Sequence, residues 1–262
     1  MRIARFARPS GGISFGVVEG EPSAPYEALT VAAVADHPFG PITFTGERWA
    51  LPDVQLLAPV FPTKIIGIGR NYAEHAAEMG NEVPAAPLIF LKPPTAVIGP
   101  RDAVRLPPDS NQVEFEGELA LVVGALGARN VPRDNALDAL LGYTCGNDVT
   151  ARDQQKADGQ WTRAKGHDSF CPLGPWIETV LDPADLWLRT ELDGEVRQDT
   201  RTSLMIHDVP TLISYVSHVM TLLPGDVILS GTPAGVGPMA DGQTVSVTVE
   251  GIGTLTNPVR SR

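Results

Sequence analysis

The sequence predicts a mainly β (α+β) protein of the sandwich or roll type, and three observations lead there. Glycine contributes 26 and proline 24 of the 262 residues, about 19% together where average usage is about 12%. They follow no collagen-like period and form no low-complexity run, so they read as turns between many short strands. Strand-like apolar runs recur along the whole chain, while helical periodicity is confined to a few short stretches. Long helices do not alternate with strands, as a doubly wound sheet would require.

Taken in order, residues 1–57 read as a small N-terminal unit and residues 58–262 as the main domain. Arg2–Ala7 and Ile13–Glu19 are strand-like, joined across Pro9-Ser10-Gly11-Gly12 as a hairpin. The stretch to Pro59 is broken by prolines at 22, 25, 38, 41 and 52. Lys64–Gly69 is a buried-strand run, followed by a predicted helix over Tyr72–Met79 with Asn71 as its cap, Glu74 at the capping-box position and Gly80 at its end. Val113–Val123 reads as one strong strand. Arg133–Leu141 reads as a short amphipathic helix stopped by Gly142, and Leu186–Gln198 as a hairpin around Asp193-Gly194. Pro210–Met220 is the longest predicted helix, with Leu212, Ile213, Val216 and Val219 on one stripe. Val227–Leu229 and Thr244–Val249 close the list of strands.

Composition excludes some functions. There are 20 Lys+Arg against 31 Asp+Glu, a net charge of −11, so no basic footprint is available for nucleic acid or an anionic membrane surface. No run approaches the roughly 18 apolar residues of a membrane span. The opening residues carry charge without a following apolar region, so no signal peptide is expected. Two cysteines, Cys145 and Cys171, are too few for a disulfide scaffold or a Cys-rich zinc site. A cytoplasmic protein is the expectation.

The candidate chemistry lies in a few short stretches. Glu114, Glu116 and Glu118 alternate along the predicted strand and share a face, with Phe115, Leu119, Leu121 and Val123 opposite. That face is either a solvated acidic surface or, because neighbouring carboxylates repel without a cation, part of an all-oxygen Mg²⁺ or Mn²⁺ site. Asp148, in Asn147-Asp148-Val149-Thr150, is the third candidate ligand, or else part of an Asx turn or helix cap. His75 and Glu78 stand three apart on one helix face, either as an exposed pair or as a base dyad in which Glu78 orients His75. Gly69 and Gly80 bracket that helix as hinges for a lid. Arg152, Gln155 and Lys165 are either a solvated polar loop or the local positive charge an anionic substrate needs on an acidic protein. Gly231–Gly237 lacks the lysine of a phosphate loop. It is a plain turn, or a segment presenting Thr232 and backbone N–H groups to a carboxylate. Gly67-Ile68-Gly69 is no dinucleotide fingerprint, because Tyr72 stands where the third glycine belongs.

Together these stretches resemble the fumarylacetoacetate hydrolase family. The resemblance rests on Ile68-Gly69-Arg70-Asn71-Tyr72 through His75 and Glu78, Phe90-Leu91-Lys92-Pro93, and Glu116-Gly117-Glu118-Leu119. It continues through Asn147–Asp153, Lys165–Pro172, Leu223–Val227 and Gly231-Thr232-Pro233. It runs in order over about residues 60–262. The resemblance implies a mixed β-sandwich/β-roll catalytic domain of the fumarylacetoacetase C-terminal type, a small N-terminal α/β domain and a homodimer. It implies metal ligands at Glu116, Glu118 and Asp148, a base dyad at His75 and Glu78, a catalytic Lys165, and substrate contacts at Arg152, Gln155, Lys165 and Thr232. Lys92 matches a family lysine without an assigned role. His167 and His207 stand where the family more often has aromatic or apolar residues, which bears on substrate preference. The compact length resembles the acylpyruvase and hydroxyhepta-dienedioate isomerase branch.

The implied activity is Mg²⁺-dependent C–C hydrolysis of small anionic dioxo acids of the acylpyruvate or fumarylpyruvate type. Isomerisation of a hydroxydienedioate in aromatic catabolism, or decarboxylation of an oxaloacetate-like acid, would use the same residues. A metal- or ligand-binding protein without catalysis is a further alternative that leaves His75 and Glu78 unexplained.

Overall fold

The structure, a computed structural model, describes residues 1–21 and 24–262; Pro22, among the predicted breakers, lies outside them. It is mostly β, built on three sheets among the described residues. The largest sheet has twelve strands. Its centre is Cys171–Glu178, Leu140–Asn147, Gly117–Val123, Val227–Leu229 and Ile65–Gly69, side by side in that order. All of these pair antiparallel except Val227–Leu229 with Ile65–Gly69. A five-stranded sheet runs Glu195–Arg201, Trp187–Leu192, Thr244–Val249, Gly253–Ser261 and Val104–Leu106. Three short strands, Thr150–Ala151, Val113–Phe115 and Gly237–Pro238, form a third sheet beside the site described below.

Alternation explains the packing. In Thr244–Val249 the odd positions Val245, Val247 and Val249 are buried, as a strand with one covered face requires. Val247, Val249, Leu188 and Leu255 pack in one cluster with Leu119, Leu121 and Cys145 of the large sheet, so the two sheets form a sandwich. The other face of Gly117–Val123 places Ala120 and Val122 in a second cluster with Ile65, Leu173 and Val227. This strand is therefore buried on both faces rather than half-solvated, because a layer covers each side of the sheet.

Residues 1–57 join the large sheet directly. Arg2 and Ile3 pair with Glu178 and Ile177, and the predicted hairpin pairs Arg2–Ala7 with Ile13–Glu19 throughout. The helical part expected of this unit is two single 3-10 turns, Tyr26–Ala28 and Leu51–Asp53, and no α-helix forms among its described residues.

Several local expectations change in the fold. Val113–Val123 is not one strand. It breaks at Glu116, with Val113–Phe115 in the three-stranded sheet and Gly117–Val123 in the large one. At the break the Glu116 N–H donates to Asn147 Oδ1 at 2.9 Å and the Glu116 carbonyl accepts from the Asp148 N–H at 2.8 Å. Gly117 permits the sheet-to-sheet approach there, since a Cβ would lie 2.0 Å from Thr190 Oγ1. Arg133–Leu141 forms two 3-10 turns running into the strand Leu140–Asn147. Gly142 is inside that strand, where a Cβ would meet the Glu178 carbonyl at 2.3 Å, so it serves close approach and stops no helix. The longest helix is Val209–Val219, capped by Asp208 accepting from the Thr211 N–H. Its buried stripe ends at Val216, and Val219 is 53% exposed. The Asp193-Gly194 hairpin forms as expected, both residues having positive φ. None of the helices is long and apolar enough to cross a membrane, among the described residues.

Candidate active site

Strand register brings the acidic residues together. Gly117 pairs with Asn147 and Glu118 with Gly146, so Glu116 and Asp148 stand beside each other where the two strands end. Glu116, Glu118 and Asp148 each offer an oxygen within 4.8 Å of the others, and all three are buried. Glu114 does not join them. The break at Glu116 turns it aside, and Arg152 Nε donates to its carboxylate at 2.7 Å.

Cations surround this triad. Lys165, from the short helix Thr162–Gly166, donates to Glu116 at 2.7 Å and also to Asp148. Arg152 opens the helix Arg152–Asp158 and bonds Glu116 and the Gln155 side-chain oxygen as well as Glu114. Lys92, fully buried at the end of Leu88–Lys92, donates to Asp148 and at 3.2 Å to the Val149 carbonyl. Lys92 thus holds a candidate ligand in place, a role its sequence position did not reveal.

These contacts set the protonation states. Burial opposes ionisation of Glu116, but Lys165 and Arg152 outweigh it and hold the carboxyl well below the usual range. Burial together with Asp148 and Glu116 pushes Glu118 well above its usual value; Lys165 and the Gly231 N–H, which donates to it at 2.6 Å, only partly oppose this. Burial lowers the Lys165 ammonium's pKa, but Asp148 and Glu116 reverse that, so it stays charged. Of the four carboxyl groups only Glu118 has no cation paired with it, and without one it is held toward its neutral form. An all-oxygen cluster of this kind, with one carboxyl left for a cation to ionise, fits a small divalent cation.

His75 and Glu78 meet as predicted. The helix is Ala73–Glu78, and His75 Nδ1 lies 3.2 Å from Glu78 Oε2. The Gly235 N–H points at the other Glu78 oxygen at 3.1 Å. With Nδ1 turned to a carboxylate, the neutral ring keeps its proton there and leaves Nε2 as a base. His75 is buried and lines the same cavity as the triad, about 240 Å³ in volume. The predicted cap is different: Asn71 makes no cap bond but spans to the His207 and Ser230 carbonyls and accepts from the His207 N–H. It ties the helix start to two distant loops. Gly80 ends the helix with φ +66°, whereas Gly69 leaves space for Trp161, whose ring lies 2.7 Å from where a Cβ would stand.

Arg152, Gln155, Lys165 and Thr232 all line the cavity. The Thr232 hydroxyl is engaged by the protein, donating to the Gly117 carbonyl at 3.0 Å and accepting from Gln198 Nε2 at 2.8 Å. The sequence reading missed Gln198, which also receives the Gly117 N–H, and the cavity residues Arg70, Lys156, Phe90 and Trp161. Of these, Arg70 and Phe90 fell inside recognised motifs without being given a task. His167 bonds Gln154 and packs on Phe170, and His207 acts through its backbone; neither lines the cavity. Cys145 and Cys171 are free and buried, and burial pushes both thiols up to about 12, so neither serves as a nucleophile.

Comparison with known proteins agrees with this geometry. The fumarylacetoacetate (FAA) hydrolase C-terminal family matches residues 64–260, and an Rv2993c-like N-terminal family matches residues 1–59. Protein Rv2993c of Mycobacterium tuberculosis is 59% identical over 262 residues, covering 99% of this chain and 98% of that one. The crystal structure of 2-hydroxyhepta-2,4-diene-1,7-dioate isomerase from Mycobacterium marinum superposes with a TM-score of 0.93 at 56% identity, covering 100% of this chain and 99% of that one. A mitochondrial oxaloacetate decarboxylase of Dictyostelium discoideum is 42% identical over 201 residues, 73% of this chain and 90% of its own. On the matched length and the geometry alike, this chain belongs to the fumarylacetoacetate hydrolase family.

Proposed function

We propose that the protein is a Mg²⁺-dependent hydrolase that cleaves a C–C bond in small acylpyruvate-type dioxo acids. The observation that carries this reading is the His75–Glu78 pair lining one small cavity with the buried Glu116, Glu118 and Asp148. At about 240 Å³ the cavity is below the roughly 300–1,000 Å³ of sites for drug-sized ligands, in keeping with a small metabolite. Glu116, Glu118 and Asp148 would hold the cation, which supplies Lewis-acid polarisation of a 2-oxo acid.

The chain's own residues do the rest. His75 Nε2 takes a proton from water while Glu78 steadies the imidazolium that results. The hydroxide adds to the distal carbonyl carbon. The C–C bond on its pyruvate side then breaks, and the electron pair passes into a pyruvate enolate. Lys165 offsets that developing charge, and Arg152, oriented by Gln155, faces the acid's carboxylate. Protonation of the enolate carbon gives pyruvate beside the released acid.

A second reading uses the same residues on carbon instead of water: tautomerisation, isomerisation or decarboxylation through the same enolate. The relatives that carry isomerase and oxaloacetate decarboxylase names favour it. The test follows the ultraviolet absorbance of acetylpyruvate, oxaloacetate and a hydroxydienedioate with Mg²⁺ and with excess chelator. Chelator-sensitive loss of the acetylpyruvate band with release of pyruvate and acetate is the expected result. A band shift on the dienedioate, or pyruvate from oxaloacetate alone, assigns the second reading. No turnover of any of the three overturns both.

A further inference from the structure

Two cations on the cavity wall are used by nothing else in the site. The three inner cations are each committed: Arg152 to Glu114, Glu116 and Gln155, Lys165 to Glu116 and Asp148, and Lys92 to Asp148 and Val149. Arg70 and Lys156 line the same cavity, and among the described residues neither side chain makes an ion pair or hydrogen bond.

Arg70 is also held in an unusual way. Its φ is +58°, a left-handed conformation that a long side chain rarely adopts. The segment around it enforces that geometry. Asn71 bonds His207 and Ser230, and Tyr72 bridges to Met205. The guanidinium lies 5.9 Å from the Trp161 ring, and Trp161 in turn packs edge-on against Phe90 at 5.3 Å. Arg70 is only half-buried, on the cavity wall beside Trp161. Lys156 follows Arg152 by four positions in Arg152–Asp158, one turn along the same helix face.

We propose that Arg70, assisted by Lys156, is a specificity-determining residue that receives a second carboxylate, so that among the 2-oxo acids the site admits a diacid is preferred over a monoacid. This rests on the reading of the site as a 2-oxo acid enzyme. A guanidinium presents paired N–H donors that match a carboxylate, and a carboxylate arriving there meets no competing acid on Arg70. On a chain of net charge −11, a cavity lined by Arg70, Arg152, Lys156 and Lys165 against Glu116, Glu118 and Asp148 also favours a dianion over a monoanion. A substrate without the second carboxylate leaves that guanidinium unanswered, which is how such a site discriminates.

The test is calorimetric titration of the Mg²⁺-loaded protein with 2-oxoglutarate and with 2-oxopentanoate. These probes share the 2-oxo acid end and the chain length and differ in the second carboxylate. The wild type is expected to bind 2-oxoglutarate tighter by about tenfold or more, the scale of a charge-assisted hydrogen bond. Arg70→Met is expected to remove that preference and leave 2-oxopentanoate binding unchanged. Arg70→Lys should retain part of the preference, and Lys156→Met should weaken it by a smaller factor. Equal wild-type affinity for the two probes overturns the proposal alone, with no variant needing to fold. Equal loss of both probes in Arg70→Met overturns it too, since that is what a merely structural role would give. Failure of both probes to bind the wild type, or binding of 2-oxopentanoate alone, overturns the proposal, and the first of these overturns the underlying site reading with it.

Discussion

The cavity around His75 and the triad holds about 240 Å³. A second cavity, where the N-terminal unit meets the five-stranded sheet, holds about 1,100 Å³. The larger one is walled by Leu29, Leu56, Trp176, Leu181 and Ile252, and its Arg2 and Glu178 are answered by the Gly20 carbonyl and the chain's own N-terminus. The smaller one gathers buried carboxyl groups and cations, with Glu118 the carboxyl that no cation answers. Space alone is what remains when sheets meet at an angle. Convergent buried charge is expensive to desolvate, so it marks the place where chemistry is done.

The largest effect expected from breaking this contrast comes from the triad. Asp148→Asn should abolish turnover, by about 10³-fold or more, and weaken Mg²⁺ binding by over about 100-fold in calorimetry, since ligand losses exceed the 10–100-fold of outer-shell changes. Removing the metal with chelator should reproduce the loss of turnover reversibly. Next, His75→Ala should lower kcat by about 10²–10⁴-fold while Mg²⁺ affinity stays intact. Unchanged turnover there would remove His75 from the reaction.

Lys92→Met tests the buried network through stability. It takes a fully buried cation from Asp148, and breaking a buried pair costs about 3–5 kcal/mol. Because Lys165 also answers Asp148, the lower end is expected in urea unfolding. In the larger cavity, Leu56→Ala should destabilise by about 2–5 kcal/mol yet leave kcat within about twofold. A matching fall in kcat would mean that the two cavities are coupled.

The smallest expected effect lies outside both cavities. Burial raises the pKa of Asp226, but bonds from Lys64, the Leu223 N–H and Thr63 outweigh this and hold it below the usual carboxylate range. The folded pKa is depressed, so this stabilisation is present above the unfolded value of about 3.9 and is lost as pH falls through the folded value. Asp226→Asn should flatten that acid limb in denaturation curves taken at a series of pH values.

Much of the site was legible because some of its chemistry is local. His75 and Glu78 are one helical turn apart, so their meeting follows from the helix alone. The Glu-Gly-Glu and Asn-Asp-Val-Thr stretches declared their donors, and the family resemblance joined them. What was hidden depends on distant partners. Glu114 shared the predicted acidic face of Glu116 until the strand changed sheets between them, and no local pattern marks that change. The predicted helix over Arg133–Leu141 failed for a similar reason, because its last residues are taken into the large sheet.

By itself the sequence determined several of the strands, their alternation, the Asp193-Gly194 turn and the residue types of the candidate site. Each of these follows from φ/ψ preference and side-chain period over a few residues. The tertiary structure alone decided which charges meet. Arg152 reaches Glu114 across 38 positions, Lys92 reaches Asp148 across 56, and the Gly235 N–H steadies Glu78 across 157. Those contacts form only when sheets close over one another and exclude water. Burial then turns ordinary surface residue types into one charged, interlocked site.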